Sequence, residues 1–202
     1  MSFSNSLDNH ASVLVADASV IINLNATQQA PQILKALPSS LVITDNAWLE
    51  IENGRAYGHL DADSLHELER SGLVCRVSLD DRALDIYEAL IDGRAAKTLD
   101  DGEAATISYA VTTDAVALID ERKARSLCSE TFPSLEFAST TDVLMHPAIL
   151  KSLGSDARHD AIFNALLDAR MRVPSHQVEA VKHLIGPHKV KRCTSLPKLA
   201  SD

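Results

Sequence analysis

Aromatic residues are scarce in this 202-residue chain, at 4%. Its core must therefore be aliphatic, and a 46% hydrophobic content is enough to build one. Cysteine is rare as well. Cys75, Cys128 and Cys193 are odd in number and widely spaced. They form neither a CxxC metal pattern nor a disulfide framework, which implies a reduced, cytoplasmic setting. The eight histidines make no HxxxH or HxH pair, which argues against zinc. No GxGxxG or P-loop pattern follows the first apolar run, so those nucleotide-binding loops are disfavoured. No apolar stretch approaches the ~20 residues that span a bilayer. The first ten residues carry no basic-then-apolar signal, so a soluble protein with no membrane partner is expected. Positive charge is also in deficit, with 19 Lys and Arg against 28 Asp and Glu, for a net charge of -9. That balance argues against a general nucleic-acid coating protein and leaves a nuclease open.

What is present is a set of short, β-branched apolar runs: Ser12 to Ala16, Leu41 to Thr44, Val74 to Val77, Ala117 to Ile119 and Leu135 to Ala138. Helical patterns separate them, at Asp63 to Ser71, Asp81 to Asp92 and Glu103 to Val111. Strands alternating with helices predict a parallel sheet covered on both faces, with ligand sites at the carboxyl ends of the strands. After Pro147 the pattern turns helical. Asp156 to Met171 carries one apolar stripe, and a second helix begins at Pro174-Ser175 and stops at Gly186-Pro187. The expected organisation is a flexible N-terminus at 1–11, an α/β domain at 12–147, a helical extension packed on it at 148–187, and a basic flexible tail at 188–202.

Four carboxylates stand at strand ends or helix starts: Asp17, Glu50, Glu103 and Asp120. Taken singly, each has an ordinary reading. Asp17 can cap the following helix with Ser19, Glu50 can be solvated helix charge, and Glu103 can sit favourably on a helix dipole. Glu52 competes with Glu50, and Glu121 with Asp120. Asp100 and Asp101 read as caps rather than ligands. Gathered at one sheet edge, however, four acids would repel each other without a cation. Hard divalent cations prefer such oxygen donors, and their chemistry is that of phosphate esters. Arg122, Lys123 and Arg125 add positive charge nearby, with Arg122 and Lys123 as candidates for substrate contacts. Trp48 and Cys75 read as packing residues.

The motifs in order are Val15-Ala16-Asp17-Ala18-Ser19, Glu50-Ile51-Glu52-Asn53-Gly54, Leu99-Asp100-Asp101-Gly102-Glu103-Ala104 and Leu118-Ile119-Asp120-Glu121. Together they resemble the PIN-domain family of metal-dependent nucleases over residues 12 to 145. The likeness is strongest to the VapC-like branch with a Leu-Asp-x-Gly-Glu-Ala helix, and the Ala165 to Arg170 stretch resembles that branch's tail. The resemblance implies a doubly wound α/β/α fold with a five-stranded parallel sheet. It implies Mg²⁺ or Mn²⁺ held by Asp17, Glu50, Glu103 and Asp120, with Ser19 and Glu121 in support. It also implies hydrolysis of RNA phosphodiesters, a toxin role opposed by an antitoxin protein, and a homodimer. The family's Thr-x-Asp strand end is here Ile119-Asp120-Glu121, which leaves Asp120 and Glu121 both open. The alternative reading is a catalytically inactive PIN-like module that binds RNA or protein. An aspartyl-phosphate hydrolase would need an Asp where Ser19 stands.

Overall fold

Five strands form one parallel sheet in the order β3-β2-β1-β4-β5 in a computed structural model that describes residues 7, 13–92 and 98–197. They are β1 (Leu14–Ala16), β2 (Leu41–Thr44), β3 (Val74–Val77), β4 (Val116–Leu118) and β5 (Phe137–Ala138). The helices are α1 (Ala18–Ala26), α2 (Ala30–Ala36), α3 (Asp45–Gly54), α4 (Asp61–Arg70), α5 (Asp81–Ile91), α6 (Asp101–Thr113), α7 (Arg122–Thr131), α8 (Thr140–Met145), α9 (Pro147–Leu153), α10 (Ser155–Asp168), α11 (Val178–Ile185) and α12 (Pro187–Val190).

The central strands are apolar throughout because both faces are covered. Alternate residues feed two separate cores, as a two-residue period requires. Leu14, Ala16, Leu41, Ile43, Val116 and Leu118 join the larger core, which also takes in α1 to α4 and the C-terminal helices. Val15, Val42, Ala117 and Ile119 face the other way, into a core with Leu90, Ile107, Ala124 and Cys128 of α5, α6 and α7. This is the doubly wound α/β/α architecture that the resemblance implies.

Register fixes where the acids can meet. Ala16 of β1 pairs with Leu118 of β4. The chain runs outward from β1 through β2 to β3, then returns to place β4 on the other side of β1. The β1/β4 boundary is therefore the point where strand order reverses, and the crevice beyond its carboxyl ends is where such sheets bind ligands. Asp17 follows β1 directly, and its N–H donates to Leu118 O at 3.1 Å. Asp120 lies two residues beyond β4.

The extension shares the larger core. Ile149, Ile162, Ala165, Leu166, Val181 and Ile185 are all buried in it. Residues 188–197 differ from the flexible tail expected there. Val190, Cys193 and Leu196 are buried in the same core, and Lys189 and Arg192 lie over the Phe163 ring at 5.0 Å. The apolar residues recur every third position, so one face of this basic stretch packs while its cations stay outside. Cys75 also departs from expectation. It is exposed, because β3 is an edge strand and its middle residues face outward. Trp48 is buried, with the His66 ring packed edge-on at 5.0 Å. The flexible N-terminus expected at 1–11 lies outside the described residues, apart from Leu7, which is buried, as do residues 198–202.

Candidate metal centre

Asp17 occupies the N-cap of α1, and its side chain is nearly inaccessible at 5% exposure. Ser19 secures it from below: its hydroxyl donates to Oδ2 at 2.6 Å and its backbone N–H at 3.3 Å. Glu50 reaches in from the second turn of α3. The first turn of α6 supplies the rest of the centre. Asp100 is the N-cap there and accepts the Glu103 N–H at 2.9 Å. Glu103, at 6% exposure, turns into the same space.

Gly102 makes this convergence feasible. A Cβ on Gly102 would lie 2.6 Å from Glu50 Oε2 and 3.2 Å from Asp17 Oδ1. The missing side chain is the room in which the Glu50 carboxylate sits. Among the described residues, one group of acids brings its oxygens close enough to share an ion. Asp17, Glu50 and Asp100 each offer an oxygen, all within 4.8 Å of one another. Two unit charges at that distance repel by about 3 kcal/mol at an effective dielectric constant of about 20. The free carboxylates accordingly resist ionisation. Asp17 is raised to about 6, first by burial and then by the charge of Asp100, against the Ser19 hydrogen bond. Glu50 is raised to about 7 by burial and the charges of Asp17, Asp100 and Asp101. Glu103 is raised to about 7 by burial, Asp100 and Asp17.

Asp120 is held differently. Its Oδ1 accepts the Thr140 N–H at 2.8 Å, and its Oδ2 accepts the Thr140 hydroxyl at 2.6 Å and Asn23 Nδ2 at 2.7 Å. Burial raises its pKa, opposed by those hydrogen bonds and by Arg125. Glu121 is ion-paired with Arg172. Asp17, Ser19, Glu50, Glu103, Asp120 and Glu121 all line one cavity of about 290 Å³. Asp100, Ile22 and Asn23 line it too, and the segment after α10 adds Arg170 and Arg172. Arg170 adopts a left-handed φ of 54°. The turn sends Met171 into the core at 1% exposure and leaves the flanking arginines on the cavity.

A family model described as DUF3368, PIN domain, matches residues 13–187. The chain belongs to the PIN-domain family. PIN domains are in general nucleases, and the acidic cavity is the feature of this one that suits the role. No curated protein matches the chain. A solved structure, VapBC2 from Rickettsia felis bound to a DNA fragment from their promoter, is similar at 12% identity and a TM-score of 0.46. The similarity covers 63% of this chain and 98% of that one.

The donor set of this PIN domain fits a hard divalent cation. It is all carboxylate oxygen, its members repel one another, and a glycine clears the space. Of the residues singled out from sequence, Asp17 and Glu50 belong to the converging group, Glu103 stands beside it, and Asp120 is committed to three protein donors. Lys123 turns away to donate to Thr98 O at 2.7 Å, and Arg122 lies outside the cavity. Asp100 was missed because its capping role already explained it. Asn23 was missed too, although an amide between Ile22 and Leu24 in an apolar helix is a readable signal. Arg170 and Arg172 carry no local signal, because contacts with residues distant in sequence, such as the Arg172–Glu121 ion pair, bring them in.

Proposed function

We propose that this PIN domain is a metal-dependent endoribonuclease that hydrolyses RNA phosphodiester bonds with Mg²⁺ or Mn²⁺, and is the toxin of a toxin–antitoxin pair. The convergence of Asp17, Glu50 and Asp100 at the switch point of the sheet carries this reading. Those three would hold the ion, Glu103 would complete the acidic wall, and Asp120 would brace the cavity through Asn23 and Thr140. When bound, a divalent ion supplies charge neutralisation for a phosphate and a water of lowered pKa. The chain's own groups do the remaining work. Ser19 fixes the rotamer of Asp17. Glu103 offers a shielded carboxylate as proton acceptor. Arg170 and Arg172 would stabilise negative charge on the substrate across the cavity from the acids. An antitoxin would oppose the activity by covering this cavity, in a cytoplasmic complex built on a homodimer.

The test is cleavage of a mixed set of short single-stranded RNAs with Mn²⁺ or Mg²⁺, with wild type beside Asp17→Asn and Asp100→Asn and with EDTA as control. Metal-dependent cleavage lost in both variants supports the assignment. Equal cleavage by all three proteins exposes a contaminant. No cleavage and no metal binding by calorimetry would establish the inactive binding module instead.

A further inference from the structure

A groove of about 800 Å³ opens beside the carboxylate cavity and shares Asp120 and Arg172 with it. One wall is α7 and the other is the start of α11 with the segment before it. Basic residues from both walls line the groove: Arg122 and Arg125 from α7, Arg172 and His176 from the segment, and Lys182 from α11. Among the described residues, two acids, Asp120 and Glu179, join them in lining it. This concentration occurs on a chain of net charge -9, so the basic residues are gathered here against the overall balance. Their partners engage them to different degrees. Among the described residues, Arg122 and Arg125 hold no ion pair. Lys182 is itself only 9% exposed and meets Glu179 at 2.9 Å, a glutamate whose side chain is 82% exposed and screened by water. Arg172 pairs with Glu121 at the threshold between groove and cavity.

We infer that this groove carries the sugar-phosphate backbone of single-stranded RNA into the carboxylate cavity, with Arg172 at the point of entry. The inference rests on the nuclease reading above and names the path its substrate takes. Among the described residues, no aromatic ring apart from His176 lines the groove. Recognition is therefore of phosphate rather than stacked bases, and binding depends strongly on salt and little on sequence. A bounded groove in a low-dielectric wall focuses this field. Arg125, which lines the groove together with Asp120 and whose charge bears on that carboxylate, ties groove to centre.

The experiment is fluorescence anisotropy of a labelled single-stranded RNA in EDTA, which separates binding from cleavage. Full-length wild type, R122Q/R125Q and R172Q are titrated over a range of salt. Four phosphate contacts predict a log–log salt slope of about -3 for a single strand. R122Q/R125Q should halve that slope and weaken binding about tenfold. R172Q should lower the slope by about one contact. Arg122 and Arg172 are exposed and Arg125 is half-buried, so melting curves should stay close to wild type. Equal affinity and slope in wild type and R122Q/R125Q would overturn the inference, and so would a poly-glutamate peptide displacing RNA at equal concentration. Parallel cleavage assays with Mn²⁺ separate the two readings. Groove-dependent binding without metal-dependent cleavage removes the nuclease reading alone. Cleavage by all groove variants at wild-type rate removes the groove alone.

Discussion

Replacing Gly102 by alanine should stabilise the metal-free protein and disable its metal centre. In a helix, Gly→Ala ordinarily gains about 1 kcal/mol. Here the new Cβ would lie 2.6 Å from Glu50 Oε2, where a carbon–oxygen contact needs about 3.3 Å. The Glu50 carboxylate must retreat by roughly 0.7 Å. It can do so, because it is the end of a flexible side chain, whereas the nearest backbone atom, Ala47 Cα, lies at an ordinary 3.7 Å. The retreat also relieves repulsion from Asp17 and Asp100. The melting temperature in EDTA should therefore rise by about 2–4 °C. Displacing one converging carboxylate should weaken Mn²⁺ binding about tenfold to a hundredfold. Melting curves in EDTA and calorimetric titration with MnCl₂ read the two effects. Glu50→Ala supplies the control: if Gly102 acts through Glu50, the double variant binds Mn²⁺ no worse than Glu50→Ala alone. Unchanged Mn²⁺ affinity in G102A would refute the role of the glycine, and a melting temperature lowered by 5 °C or more would show a backbone clash instead.

The other expectations divide the centre by function. Asp17→Asn should abolish cleavage yet raise the melting temperature in EDTA, because it removes a buried charge that its neighbours repel. Asp120→Asn should instead lower it, by about 1–3 kcal/mol of stability, because an amide cannot accept all three of the bonds from Asn23 and Thr140; equal melting of the two variants would deny this division. The acids of the centre also set a pH dependence. Their folded pKa values, about 6 for Asp17 and about 7 for Glu50 and Glu103, lie above the unfolded ones, so the native state holds the extra protons and its stability falls as pH rises from about 4 to about 7. Saturating Mn²⁺ should remove that fall, and melts at pH 5 and pH 8 with and without metal check it. Arg170→Gly relieves a left-handed φ of 54° and should melt no lower than wild type while cleaving RNA about tenfold more slowly, through loss of a charged contact; full activity would show that Arg170 plays no part at the site.

The fold was legible because its strands are buried on both faces. A parallel central strand needs no alternation, so Leu14 to Ala16, Leu41 to Thr44 and Val116 to Leu118 stand out as short apolar runs ending at polar residues. Legibility failed at the margins of the sheet and chain. Cys75 lies in a Val-Cys-Arg-Val run that reads as a strand, and its place at the sheet edge, fixed by pairing with β2 alone, exposes it. The residues after Gly186 were hidden by composition. Their lysines and arginines dominate the local charge, while the three-residue spacing of Val190, Cys193 and Leu196 carries the packing.

The centre shows a subtler limit. Asp17, Glu50, Glu103 and Asp120 could be picked out because each stands near a strand end or helix start, and all four do line one cavity. Their roles could not be ranked from sequence. A carboxylate has two oxygens with several lone pairs, and the protein donors that claim them come from distant segments. Asp120 loses its freedom to Thr140 and Asn23, which reach it from β5's far end and from α1. Asp100 keeps its freedom although it caps a helix, because the cap engages only Oδ1 through the Glu103 N–H. Capping and metal binding therefore do not exclude each other. An acid at an N-cap is held in one rotamer by the helix and still presents an oxygen outward, the preorganisation that a shared ion would require. The Leu-Asp-Asp-Gly-Glu-Ala stretch thus works as a unit: Asp100 caps and faces the centre, Gly102 clears room for Glu50, and Glu103 follows on the same turn.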